Sequence, residues 1–247
     1  MSRVFLTAEW RHLVMLNYEI EPSVLEPLVP RGTALDRFDG RVYVSIVGFL
    51  FLNTRVFGVP IPFHRNFEEV NLRFYVGRES EEGWRRGVVF VSELVPRAAI
   101  AAVARLAYGE KYRALPMSHE FEFEPSDSRE SKDLRSAAYT WRLEGQEHAL
   151  RFRAAGPPEQ IPDGGLEEFI TEHYYGYAAR KGGGTTEYRV AHPRWRVARA
   201  SEVSFDADVA ALYGEVFVPA LSEPPASAFL ADGSPVEVYT GARLGPA

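Results

Sequence analysis

Cysteine is absent from all 247 residues, which removes disulfides, thiolate nucleophiles and Cys-ligated zinc together. Lysine is nearly absent: Lys111, Lys132 and Lys181 are the only ones among 28 basic residues, so the search for a Schiff-base amine is short. Positive charge is not in excess either. The net charge is −6 and the sequence pI about 5.6, which argues against nucleic acid or an anionic membrane as partner. The longest apolar run, residues 42–52, falls well short of the roughly 20 residues that span a bilayer. The first ten residues lack the apolar core of a signal peptide, and a cytoplasmic protein is the expectation. The sequence holds no HExxH pair, no Gly-x-Ser-x-Gly elbow, no Walker loop and no GxGxxG fingerprint, and Lys181-Gly182-Gly183-Gly184 reads as a hairpin turn. No metal or cofactor is therefore implied.

What is present is a soluble-protein composition, 46% hydrophobic and 25% charged, with strand-like alternation along most of its length. Residues 12–20 read as a strand, and Pro22, Pro30 and Gly32 bound a short helix. Asp39-Gly40 predicts a turn between residues 33–38 and 41–52, and the second arm is apolar enough to be buried on both faces. Helical spacing appears over residues 97–108, stopped by Gly109, and again over 166–174. Residues 174–179 and 185–191 flank the glycine turn as a hairpin. Residues 118–124, 137–143 and 148–152 alternate as further strands, with Arg151 and Arg153 placed to pair with Glu120, Glu122 and Glu124. No linker or repeat divides the chain, so residues 1–247 are expected to form one domain.

Residues 67–76 carry the most informative pattern. Val70, Leu72, Phe74 and Val76 alternate with Glu69, Asn71, Arg73 and Tyr75, so with a period of two the polar set shares one face of a strand. That face meets solvent, or it lines a cavity if the sheet closes into a barrel; a third reading makes it the contact surface of a homo-oligomer. His64 leads into this strand, and His119 lies in a strand of its own. Glu172, His173 and Tyr174 gather an acid, an imidazole and a phenol at a helix-to-strand junction, where neighbouring side chains diverge in direction. Lys111, just past the predicted helix and between Tyr108 and Tyr112, is the one lysine with desolvating neighbours; the alternative is a side chain that snorkels from the helix end.

These segments together resemble the YqjF-like family of uncharacterised bacterial proteins, within the acetoacetate decarboxylase-like superfamily. The resemblance is carried by residues 10–18, by Leu28-Val29-Pro30, Val47-Gly48-Phe49 and Val59-Pro60-Ile61-Pro62-Phe63-His64, and by residues 67–76. Glu172-His173-Tyr174, His192-Pro193-Arg194-Trp195 and residues 234–239 complete it. It implies an α+β, β-dominated fold: a closed, cone-shaped, largely antiparallel β-barrel with a few flanking helices and an internal cavity. The superfamily's decarboxylases form a Schiff base between a lysine and a β-keto acid, with Glu and Arg in the pocket. Their lysine ends a Gly-x-Pro-Lys-Lys segment, and the nearest match is Tyr108-Gly109-Glu110-Lys111-Tyr112, which lacks the proline and one lysine. Glu110 beside Lys111 favours the charged amine rather than the nucleophile.

The expectation from residues and resemblance together is a small-molecule-binding barrel. Lys111, Glu69 and Arg73 are the catalytic candidates, and His64, Asn71, Tyr75, His119, Glu172 and His173 the ligand-binding ones. Arg73 is expected to take a carboxylate and Glu69 to act as acid or base or to hold Arg73. If turnover follows binding, a lyase or decarboxylase step on a keto acid is the first class to test; the rival reading is a ligand-binding or sensing protein without catalysis.

Overall fold

In the computed structural model of the chain, residues 3–97, 112–124, 133–180 and 182–244 are described. The strands in chain order are β1 (Val4–Ile20), β2 (Ala34–Leu35), β3 (Val42–Val56), β4 (Val59–Pro60), β5 (Phe67–Ser80), β6 (Gly83–Val95), β7 (Tyr112–Ala114) and β8 (Met117–Phe123). They continue as β9 (Leu134–Leu143), β10 (Gln146–Ala154), β11 (Glu159–Gln160), β12 (Tyr175–Ala179), β13 (Thr185–Ala191), β14 (Arg196–Asp206), β15 (Ser227–Tyr239) and β16 (Ala242–Arg243). Short helices occupy Pro22–Leu25, Leu166–Thr171, Val209–Tyr213 and Val218–Leu221. Among the described residues, no helix is long and apolar enough to cross a membrane.

Seven of these strands form a ring. The order β13-β12-β6-β5-β3-β1-β15 returns to β13 through Val190 opposite Val238 and Ala191 opposite Glu237. Every neighbour pair in the ring is antiparallel except β6 and β12, which run parallel over a short stretch. Closure removes the sheet edges that open sheets leave exposed. The remaining path, β15-β14-β10-β9-β8, peels away as a second layer packed on the ring's outer side.

The long strands are therefore buried on both faces. On β1, β3 and β5, Val14, Leu16, Ile46, Leu72 and Phe74 face outward into the core shared with Tyr139, Trp141, Leu150 and Phe152 of the second layer. The alternate residues, Met15, Val47, Phe49, Phe67 and Tyr75, face the inside of the ring. A chain with period-two alternation and apolar residues at both phases has no face to give to water, which is why ten consecutive residues of β3 are buried. Fully burying such side chains contributes roughly 1.5–3 kcal/mol each.

The sequence-based elements are largely present, with two corrections. Asp39 and Gly40 do turn with positive φ, and Phe38 bridges Arg41, but the arm before the turn does not pair with β3; its strand β2 pairs instead with β5. The reason is that β3 already spends both edges on β1 and β5. The helix at 166–174 ends at Thr171, so His173 lies beyond it. Arg153 lies 4.0 Å from Glu122 and 3.6 Å from Glu202 on the solvent side of the second layer. The helix expected over 97–108, Gly109 and all three lysines lie outside the described residues, apart from Arg97 at its start.

Close packing of the layers depends on Gly48. A Cβ there would lie 2.8 Å from Leu150 Cδ2 and 2.8 Å from Tyr139 Cδ2, both fully buried and unable to retreat. Gly48→Ala is expected to destabilise the fold by about 1–3 kcal/mol, the ordinary cost of overpacking. Urea denaturation measures this, and an unchanged midpoint would show that the two layers can separate freely.

Candidate functional site

Because β5 packs its apolar residues against the second layer, its alternate residues have only the ring interior to face. Glu69, Asn71 and Arg73 line a chamber of about 170 Å³ there, joined by Glu93 from β6, Tyr112 from β7, Thr171 at the end of the short helix Leu166–Thr171 and His173 just beyond it. Register explains the grouping: Asn71 is opposite Glu93, and Glu93 is opposite Tyr112.

Glu69 is 2% exposed. Its Oε1 accepts from Asn71 Nδ2 at 2.9 Å and its Oε2 accepts from the Tyr112 hydroxyl at 3.5 Å. Burial pushes its carboxyl up to about 7, against the opposing pull of Asn71, Tyr112 and the Arg73 charge. The Tyr112 hydroxyl also hydrogen-bonds Glu93; burial, and then the two acids, hold the phenol well above its usual range. The chamber thus contains a carboxyl that exchanges its proton near neutrality, next to a phenol that keeps its own.

Arg73 is arranged differently. Its Nη2 donates to the Ile170 carbonyl at 3.4 Å and lies 3.9 Å from Met15 Sδ, its guanidinium sits 5.7 Å from the centre of the Tyr75 ring, and its Nε is buried without a hydrogen-bond acceptor. Among the described residues it forms no ion pair with a carboxylate, Glu69 included. Arg73 as a whole is half-buried, so part of its charge is withdrawn from water without a counter-charge to offset it.

A second polar group closes the deep end. Asp36 Oδ2 accepts from Arg86 Nε at 2.7 Å and lies 3.4 Å from His173 Nε2. Burial alone would raise Asp36, but the bonds to His173 and Arg86 outweigh it and hold it below the usual carboxylate range. Burial lowers His173 to about 4, so the imidazole is neutral at physiological pH.

The sequence-based candidates divide cleanly. Glu69, Asn71, Arg73 and His173 meet in the chamber, and His64 stands at its mouth with Nδ1 2.8 Å from the Pro62 carbonyl. Tyr75 points inward but lies behind the lining: its hydroxyl is 2.5 Å from Ser45 Oγ, and its ring packs 4.7 Å from His173. His119 is a correction. It is exposed on β8, paired at 2.7 Å with Glu68, which occupies the opposite phase of β5 from Glu69. Glu172 is another, because it turns away from His173 and accepts the Tyr174 hydroxyl. The oligomer-surface reading of Glu69 and Arg73 also falls, since both project into the ring. Lys111 lies outside the described residues. Glu93, Tyr112 and Asp36 escaped the sequence reading; the available signal was an acid at Glu93 inside a run, 88–95, that is apolar apart from it and Ser92.

The family model for DUF2071, an uncharacterized conserved protein, matches residues 7–235. The chain is 33% identical over 75 residues to the uncharacterized protein YqjF of Bacillus subtilis (strain 168), an alignment covering 30% of this chain and 31% of that protein. It thus matches under a third of that relative's length. Among solved structures, it resembles the enduracididine biosynthesis enzyme MppR complexed with pyruvate, with a TM-score of 0.67, 11% identity and coverage of 99% of this chain and 91% of that one. An acetoacetate decarboxylase-like enzyme from Sphingomonas wittichii RW1 gives 0.65, 11%, 99% and 95%, and acetoacetate decarboxylase from Legionella pneumophila 0.62, 11%, 98% and 87%. At such identities the likeness establishes the fold.

Glu69 makes stability depend on pH in a defined direction. Below 4.5 both folded and unfolded chains carry the proton; between 4.5 and about 7 only the folded chain does, so stability falls as pH rises through that window. Thermal midpoints of the wild type and Glu69→Gln across pH 4–8.5 are expected to diverge, the wild type losing ground from 4.5 to 7 and levelling off above. Parallel curves would refute the raised carboxyl.

Proposed function

We propose that this chain, which belongs to the DUF2071 family of uncharacterized conserved proteins and has the acetoacetate decarboxylase-like fold, binds a small carbonyl-bearing carboxylate such as a keto acid in its chamber. The observation that carries the reading is the Arg73 guanidinium, facing the chamber without a carboxylate partner among the described residues while Glu69 holds a proton beside it. A ligand carboxylate supplies the missing counter-charge through charge-assisted hydrogen bonds. Protonated Glu69 is then a donor for the carbonyl oxygen, and neutral His173 is a proton acceptor at the deep end. The pyruvate named with the MppR structure is a ligand of the same chemistry in a similar fold. Residues 1–247 act as one domain in this reading, supported by a ring that joins β1 near the start of the chain to β15 near its end.

The catalytic version is decarboxylation. For a β-keto acid such as acetoacetate, the bond from the carboxylate to the α-carbon breaks, its electron pair is taken up by the β-carbonyl or by an iminium formed there with loss of water by Lys111, carbon dioxide leaves, and Glu69 protonates the α-carbon. The second version is binding without turnover, favoured by the missing proline and second lysine around Lys111 and by Glu110 beside it.

Arg73→Met is expected to weaken pyruvate binding at least tenfold by calorimetry while Arg73→Lys retains part of it; equal affinities for wild type and Arg73→Met would remove the basis of the proposal. Borohydride reduction in the presence of acetoacetate or pyruvate separates the two versions. A mass gain lost in Lys111→Ala marks the lyase, and no adduct with either acid marks the binding protein.

A further inference from the structure

The chamber is divided along its axis, and the division specifies more of the ligand than a carboxylate does. The polar atoms belong to the inner part of β5: Arg73 is opposite Ser45, Asn71 opposite Val47, and Glu69 opposite Phe49. One register step further toward the mouth the lining turns aromatic. Phe67 is opposite Phe51, which is in turn opposite Trp10, so three strands bring aromatic rings to one level of the ring. The Phe51 and Phe67 rings stack at 4.6 Å and 14°, and Trp10 meets the edges of Phe49 at 5.5 Å and Phe51 at 5.8 Å. Beyond this collar Val56 and Ile61 continue the lining to the mouth, with Thr54 and His64 as polar members.

We propose that the ligand is amphiphilic: a carboxylate and carbonyl head held at Arg73 and Glu69, and an apolar tail, aromatic or branched, seated in the collar of Trp10, Phe51 and Phe67. This rests on the carboxylate-binding reading above and narrows its substrate class. Three observations converge on it. A head anchored at Arg73 has its remaining atoms directed toward the collar, because Asp36, His173 and Tyr75 close the other end. The volume of about 170 Å³ exceeds what a three-carbon acid fills and is close to the 150 Å³ cavity known to accept a benzene ring. The route to the collar is itself mostly apolar: Phe5 lines the chamber and packs 5.2 Å from Phe57, which stands 46% exposed outside it. Water gains little in such a passage, whereas hydrocarbon leaving solvent is stabilised in proportion to its area.

Calorimetry with pyruvate, 2-oxohexanoate and phenylpyruvate tests this on the unmodified protein. Affinity is expected to rise about three- to fourfold per added methylene, the equivalent of about 0.8 kcal/mol for each buried CH₂. Phenylpyruvate is expected to bind at least tenfold more tightly than pyruvate. Phe67→Ala should shrink the phenylpyruvate advantage, read as the ratio of the two affinities within one variant, to under threefold, and Phe67→Leu serves the same purpose with less loss of packing. Arg73→Met should weaken both acids alike. Pyruvate binding as well as or better than phenylpyruvate overturns the amphiphilic ligand and leaves the carboxylate reading intact. Binding of none of the three acids overturns both.

Discussion

β5 is squeezed between two cores, and the site follows from that constraint. Its Val70, Leu72, Phe74 and Val76 are fully buried against the second layer, which fixes the phase of the strand; slipping by one residue would put Glu69, Asn71 and Arg73 into that hydrocarbon. The cost of burying those groups in an apolar core far exceeds the cost of placing them in a chamber where they meet one another. Ring closure through the short contact of β13 with β15 completes the enclosure. Without it the same face would be an ordinary wet surface, and Glu69 would have no reason to keep a proton near neutrality.

Within the enclosure the charged groups are handled in two ways. Asp36 lies between Arg86 and His173, its charge met by the Arg86 guanidinium at 2.7 Å. Arg73 and Glu69 share a space without forming a pair, each held by neutral partners: a carbonyl for the cation, an amide and a phenol for the acid. A fold selected only for stability pairs such charges or replaces them with hydrocarbon. Leaving them apart preserves a cation and a proton donor for a third party, and the aromatic collar above them limits which third parties fit.

The alternation of residues 67–76 made the polar face of β5 legible, because period-two spacing is a local property of the chain. The apolar character of β3 revealed double burial in the same way. His119 and Glu172 misled the reading for the complementary reason. His119 alternates with acids on a strand as Glu69 alternates with apolar residues, but β8 is the last strand of the second layer and meets β5 from outside the ring, through Glu68. Glu172 sits next to His173, yet the backbone leaves the helix at that point and sends the two side chains apart. Asp36 was missed because nothing local marks it, and Glu93 because one acid in a mostly apolar run does not say what it meets; each acquires its meaning from partners about 50 and 20 residues away, Arg86 and Tyr112.

Composition and spacing by themselves determined a β-dominated chain without thiol chemistry, the alternation of its strands, and one face of β5 bearing an acid, an amide and a guanidinium. Only the tertiary structure decided which side of the sheet was inside, which distant acids and rings joined that face, and that Arg73 stayed without a carboxylate beside it among the described residues. The physical reason is range. Side-chain direction along a strand is set by neighbours one or two residues away, whereas desolvation and charge pairing are set by whatever closure of the ring brings within a few ångströms.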